Sequence, residues 1–330
     1  MRVLVAPDKF RGTATANQAA KAVCEGLRAL GHQGIACPLA DGGEGILEVL
    51  GGANRTTTVT GPLGDPIQAE WRLDKRNAVI EMARASGLEL VGGAQHNDPV
   101  AASTFGTGEL LAAALDAGAK KIVVGLGGSA TTDGGLGALR ALEPLHRLRG
   151  VELSVACDVN TRFVQAAQVF APQKGATLAQ VKLLERRLQR LVQVYDEDYG
   201  VAVADLAGGG AAGGLAGGLA CLGATLISGF DLVADFLGLD ELIEAADLVI
   251  TGEGFLDEAS FEGKVVGGVT ELAGRLGVAV VAVVGESFDS AQSLVPTVSL
   301  VEQFGRERAL GDTLACLQQA LPIALERAGF

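Results

Sequence analysis

Charged residues in this chain repeatedly interrupt glycine-rich stretches. Pro7-Asp8-Lys9-Phe10-Arg11-Gly12, Ala40-Asp41-Gly42-Gly43-Glu44-Gly45, Gly127-Gly128-Ser129-Ala130-Thr131-Thr132-Asp133, Gln173-Lys174-Gly175 and Gly252-Glu253-Gly254 all do so, and Gly263-Lys264 follows the last of them. Asp158 closes a further apolar run, and Gly208-Gly209-Gly210 opens an uncharged one. Phosphoryl transfer needs this mixture of groups. Backbone amides and cations hold phosphates, carboxylates hold Mg²⁺, and one carboxylate receives a hydroxyl proton. The cations on offer are Lys9, Arg11, Lys174 and Lys264; the carboxylates are Asp8, Asp41, Glu44, Asp133, Asp158 and Glu253. Any one loop alone can equally be a solvated turn, and Asp41 with Glu44 suits either Mg²⁺ or a polar ligand. It is the number of such loops that structure alone rarely demands.

The elements that must position these residues read as an α/β chain. Arg2–Ala6 is a predicted strand, and Thr15 with Gln18 makes a capping-box pattern before a helix with Ala19, Val23, Leu27 and Leu30 on one face. That is the opening βα unit of a parallel sheet, whose ligands bind beyond the carboxyl ends of the strands. Asp8, Lys9 and Arg11 lie at such an end, and Asp41 and Glu44 follow a second strand expected over 34–39. Segments 56–60, 69–73 and 78–82 are close enough together for an antiparallel region. Glu81, inside the last of them, is either buried and paired or turned outward. Ile122-Val123-Val124 reads as a buried strand that breaks at Gly125, Gly127 and Gly128 and then enters a helix, a place where amides and helix dipole favour anionic oxygen. Gly208–Gly214 reads as a second glycine-rich helix start, and strands are expected over 151–157, 247–251 and 278–284.

Composition narrows the function. At 330 residues the chain has room for two α/β domains, although no linker marks a boundary. A net charge of −13 argues against nucleic acid and anionic membranes as partners. Five cysteines without CxxC spacing fit reduced thiols, and the N-terminal apolar run is too short for a signal peptide, so a cytoplasmic enzyme of small molecules is expected. Residues 206–230 lack charge, but nine of them are glycine, which favours a buried small-residue helix over a membrane span. No G-x-x-x-x-G-K-[ST] occurs, nor G-x-S-x-G, and His32, His96 and His146 sit apart. Gly125 to Ala130 satisfies the relaxed dinucleotide pattern G-x-G-x-x-A, a weak signal in a glycine-rich chain.

Taken together, APDKFRG, PLADGGEG, GLGGSATTDGG, ACDV, FAPQKGAT, GGGAAGG and DLVITGEGFLDEASFEGK resemble the type I glycerate kinases, in that family's order and across nearly the whole chain. The resemblance implies an ATP- and Mg²⁺-dependent kinase that phosphorylates D-glycerate, on the 2-hydroxyl in preference to the 3-hydroxyl. It implies two α/β domains: a flavodoxin-like parallel-sheet domain from residues 1–82 plus 244–330, and a second inserted over 83–243, with the active site in the cleft between them. Lys9, Arg11, Ser129 and Thr131 are then expected to bind substrate, and Gly127, Gly128, Gly208, Gly209, Gly210 and Lys264 the nucleotide. Asp158, Asp133 and Lys174 are the expected catalytic groups, and Asp41, Glu44 and Glu253 the expected metal ligands. A homodimer is left open. The chain departs from the family pattern at Asp158–Phe163, where a proline, a leucine and a glycine are missing, and at Thr132, where the family has Asn. The spacing before Val151 is also short. A kinase for another small hydroxy acid, a dinucleotide-dependent oxidoreductase and a non-catalytic binding homologue are the rival readings.

Overall fold

The computed structural model describes residues 1–10, 12–261, 263–288 and 293–330. Its strands, in chain order, are β1 (Arg2–Pro7), β2 (Gln33–Ala36), β3 (Arg55–Thr60), β4 (Pro66–Asp74), β5 (Asn77–Glu81), β6 (Lys121–Gly125) and β7 (Glu152–Ala156). They continue with β8 (Thr225–Ile227), β9 (Leu248–Gly252), β10 (Phe255–Leu256), β11 (Ala279–Val284), β12 (Glu286–Ser287) and β13 (Thr297–Ser299). Two compact units result, one of Met1–Asp41, Glu48–Leu50 and Phe230–Phe330, the other of Gly42–Leu47 and Gly51–Gly229.

The first unit holds a five-stranded sheet in the order β13-β11-β9-β1-β2, parallel at every pairing. Counted within the unit this is the 2-1-3-4-5 order of flavodoxin-like folds. Its strands are nearly unbroken runs of Val, Ile, Leu and Ala, as strands covered on both faces must be. Val281 and Val283 join the core formed with helices Ala16–Ala29 and Thr313–Arg327, while Ala282 and Val284 join the opposite core with Val266 of helix Val265–Leu276. Gly26 lets the first two helices close, since a Cβ there would sit 2.5 Å from Leu321 Cδ1. Thr15 and Gln18 form the expected capping box.

The second unit holds a six-stranded sheet in the order β3-β4-β5-β6-β7-β8, antiparallel through β5 and parallel from there. Helix Leu178–Tyr199 lays Val181, Leu184, Leu188 and Leu191 on a separate core with Phe163 and Tyr195, and leaves Lys182, Arg186, Arg187 and Arg190 exposed. The division differs from the expected 1–82 and 83–243. Strand pairing decides it: β5 is hydrogen-bonded to β6 from Asn77–Lys121 to Glu81–Gly125, so residues 55–81 complete the second sheet. Conversely, Phe230 packs on Gly268 and brings helix Gly229–Leu237 to the first unit.

Two local expectations also change. The strand expected over 34–39 ends at Ala36, and the helix expected from Gly208 is interrupted by Ala212, Gly213 and Gly214 in left-handed conformation (φ 50°, 70° and 93°). Among the described residues no helix is long and apolar enough to cross a membrane.

Candidate active site

In the second unit the glycines after β6 do not lead straight into a helix. Ser129 pairs with Gly87 in an antiparallel bridge, and the next helix begins only at Leu136. The dinucleotide pattern therefore lacks the helix N-terminus that would receive a pyrophosphate. That terminus is already filled, because Asp133 accepts from the N–H groups of Gly135 (3.1 Å) and Gly137 (3.2 Å). Asp133 also accepts from the Thr104 N–H at 2.8 Å and the Thr104 hydroxyl at 2.9 Å, and the same hydroxyl accepts from the Ala138 N–H. A carboxylate with this many donors is a cross-link between two segments of the fold.

Lys174 reaches the loop from the opposite direction in sequence. It lies on a short 3₁₀ turn closed by left-handed Gly175, and its side chain is buried. Its ammonium donates to Ser129 Oγ at 2.7 Å and to the Thr131 carbonyl at 2.6 Å. Burial pushes its pKa down from 10.5 to about 7, with Asp133 acting in the opposite direction. Asn97, a residue the motifs do not mark, donates to the carbonyls of Ala130 and Lys174, both at 3.0 Å. The Thr131 and Thr132 hydroxyls are buried without a partner among the described residues.

The expected nucleotide glycines are explained in part by packing. A Cβ on Gly127 would lie 2.8 Å from the Glu44 N, and one on Gly128 would overlap Glu44 Oε1, so both glycines admit the Gly42–Gly45 loop. Glu81 holds that loop from below. It is buried and accepts from the Gly45 N–H at 3.1 Å and the Leu47 N–H at 3.4 Å, with Arg84 3.8 Å away. Its pKa is raised by burial, against the pull of Arg84. Gly208 and Gly210 close on the Asp158–Arg162 loop, and the amides of Gly209 and Gly210 already donate to the carbonyls of Leu206 and Thr161. Asp158 accepts from the Gly229 N–H at 2.8 Å.

In the first unit, the carboxyl ends of β1 and β9 carry Asp8 and Glu253. Burial raises Asp8 to about 7, helped by Asp41, and burial raises Glu253 to about 7, with Asp257 and Asp41 adding to it and Ser260 and Lys264 opposing. Glu253 Oε1 is buried and has no hydrogen-bond partner among the described residues. Asp8 and Asp41 therefore belong with Glu253, whereas Glu44, expected beside them as a metal ligand, lies against Gly128 in the second unit. Among the described residues no group of three or more such side chains is arranged as a metal cage. Lys9 follows Asp8, whose carboxylate accepts from the Lys9 N–H at 2.7 Å; Arg11 lies outside the described residues.

A flavodoxin-like sheet with carboxylates at its strand ends, and a second sheet whose loops hold a buried lysine beside unpartnered hydroxyls, are what an α/β phosphotransferase needs. A sequence profile of the glycerate kinase family matches residues 3–146 and 143–322. The chain belongs to that family. A glycerate kinase from Halalkalibacterium halodurans is 40% identical, with 96% of each chain covered. A glycerate 2-kinase from Escherichia coli is 38% identical over 92% of this chain and 88% of that one. A crystal structure of a candidate glycerate kinase 2 from Salmonella typhimurium LT2 superposes with a TM-score of 0.83 at 35% identity, covering 99% of this chain and 98% of that one. The two profile stretches overlap at residues 143–146.

Proposed function

We propose that the protein transfers a phosphoryl group from ATP to D-glycerate, at the 2-hydroxyl in preference to the 3-hydroxyl. The observation that carries this reading is the Lys174 ammonium held against Ser129 and Thr131, in a chain that matches glycerate kinases over nearly its full length. In the second unit Ser129 and Thr131 bind oxygens of glycerate, and the open N–H groups of Gly127 and Gly128 face the phosphates, with Lys174 supplying positive charge. Asp158 receives the proton of the attacking hydroxyl. Asp133 is assigned to the architecture of the loop, since its oxygens already serve Thr104, Gly135 and Gly137. Gly208, Gly209 and Gly210 are assigned to shaping the Asp158 loop.

In the first unit Lys9 and Arg11 are the cations assigned to substrate, and Lys264 is assigned to the nucleotide. Asp41 and Glu253, with Asp8, suit Mg²⁺: they repel one another, one oxygen lacks a donor, and Mg²⁺ takes only one or two carboxylates alongside water and phosphate oxygens. When bound, the ion would neutralise phosphate charge. A cytoplasmic location fits the five free cysteines.

A coupled assay with D-glycerate and ATP, with identification of the phosphoglycerate isomer, tests the reading. Turnover to 2-phosphoglycerate is expected, and Asp158→Asn is expected to abolish it with the melting temperature unchanged. ATP consumed only with another hydroxy acid, or binding of both substrates without consumption, would overturn it. Near-normal turnover in Asp158→Asn would remove that residue from its role.

A further inference from the structure

Asn97 enters none of the assignments above, yet it joins two of them. Its Nδ2 donates to the Ala130 carbonyl, between Ser129 and Thr131, and to the backbone carbonyl of Lys174. The turn that follows Asn97 is held in place: the Asp98 carboxylate accepts from the N–H groups of Val100 and Ala101, and Arg187 donates to the Val100 carbonyl, whereas Asn97 Oδ1 is buried without a partner among the described residues. With the Lys174 ammonium on Ser129 Oγ and on the Thr131 carbonyl, three consecutive loop residues are braced from one side.

The brace has a geometric consequence. In a planar trans peptide the N–H points opposite to the C=O of the same unit. The Ala130 carbonyl is fixed on Asn97, so the Thr131 N–H points away from Asn97. The Thr131 carbonyl is fixed on Lys174, so the Thr132 N–H points away from the ammonium. Neither N–H has an acceptor among the described residues. The hydroxyls of the same two residues also lack partners, although Thr131 is 0% and Thr132 1% exposed. Gly213 closes on this peptide, where a Cβ would fall 2.7 Å from Thr132 Cα. Buried polar groups are normally satisfied; four unsatisfied ones on two consecutive residues are groups that a bound oxygen would complete.

We propose that Asn97 is a positioning residue, which turns the Thr131 and Thr132 donors toward an oxyanion of a substrate. That oxyanion is either the carboxylate of the hydroxy acid or the phosphoryl group in transfer. The identity of the ligand rests on the kinase reading; the orientation of the donors does not.

The test compares wild type with Asn97→Ala, Asn97→Asp and Asn97→Gln. Asp keeps an acceptor but loses the donor, so it should be as damaging as Ala, while Gln should recover part of the function. Ala and Asp are expected to raise the KM of one substrate, or lower kcat, at least tenfold, with the melting temperature within a few degrees of wild type. A shift in the KM for D-glycerate identifies the carboxylate, and a shift in that for ATP or in kcat identifies the phosphoryl group. Kinetic constants within twofold of wild type, or a uniform loss that tracks unfolding, would overturn the proposal. If Asn97→Ala does not fold, Thr132→Val carries the test. It deletes an unpartnered hydroxyl, so it should weaken substrate binding while leaving the melting temperature unchanged or raised; unchanged binding counts against the proposal. If the wild type turns over no glycerate, the kinase reading fails by itself, and calorimetric titration with inorganic phosphate decides the role of Asn97 and the Thr131 and Thr132 donors. Phosphate binding that Asn97→Ala loses supports it, and no binding by the wild type overturns it.

Discussion

Asp133 and Glu253 are both carboxylates set among glycines just after parallel strands, one in each unit, and their surroundings are opposite. Asp133 is met by the Thr104 hydroxyl and by backbone N–H groups at 2.8 to 3.2 Å. Glu253 has a buried oxygen without a donor, and its pKa is raised by burial with Asp257 and Asp41 nearby. A carboxylate whose lone pairs are satisfied by the fold has nothing left to offer a ligand. One kept short of donors among like charges gains from any cation that arrives. The same reasoning separates Lys174 from the surface lysines, since its ammonium is spent on holding a loop whose own donors are open.

The largest effect is expected at Lys174. Lys174→Met keeps the length and apolar stem of the side chain but removes both loop contacts, and kcat/KM should fall by about two orders of magnitude, in the range for lost preorganised donors. A stability signature accompanies it. The folded pKa of about 7 lies below the unfolded 10.5, so between these values the unfolded chain holds a proton that the folded chain does not. Stability contributed by this residue therefore rises with pH across that window, at up to about 1.4 kcal/mol per pH unit. Urea titrations at pH 7, 8 and 9 should show wild type gaining on Lys174→Met as pH rises. A constant difference would mean that the amine is not buried as described.

The two carboxylates should then respond in opposite ways to loss of charge. Asp133→Asn turns an amide toward the N–H groups it used to accept, and should lower the unfolding free energy by about 3 kcal/mol, the scale of charged hydrogen bonds lost with a donor left facing donors. Glu253→Gln relieves repulsion instead. Its stability should be unchanged within about 0.5 kcal/mol, while the Mg²⁺ concentration for half-maximal activity rises roughly tenfold as one ligand charge is lost. Equal losses of stability in the two variants would erase the distinction.

How far these roles were legible in the sequence follows from the range of the contacts. The capping box at Thr15 is a local pattern and lies where its spacing places it, and the apolar strands other than β2 lie close to theirs. Lys174 stood out as a cation in a glycine loop, but its partners are 43 and 45 residues away, and no local pattern reports which way a lysine turns. Asp133 looked like a catalytic carboxylate because its main partner, Thr104, is 29 residues upstream at the start of another helix. Asn97 gave no signal, being 33 and 77 residues from the carbonyls it joins. Residues 55–81 were placed in the wrong unit for a related reason. A strand's alternation shows that it pairs, and nothing in it names its neighbour.

Thr104→Val should cost less than Asp133→Asn, and it sharpens the reading of Asp133 most directly. The hydroxyl donates to the carboxylate at 2.9 Å and accepts from the Ala138 N–H at 3.1 Å, and the residue is fully buried. Valine matches its shape, so packing is retained while both bonds vanish and the Ala138 N–H loses its side-chain acceptor. The expected cost is about 1–2 kcal/mol, and Thr104→Ser should recover most of it. The informative measurement is the double-mutant cycle with Asp133→Asn. If Asp133 is a cross-link completed by Thr104, the second substitution finds part of the interaction already gone, and the pair should cost less than the sum by about 0.5 kcal/mol or more. Strict additivity would mean that Thr104 and Asp133 stabilise the fold independently, and would reopen the carboxylate as a group free for chemistry.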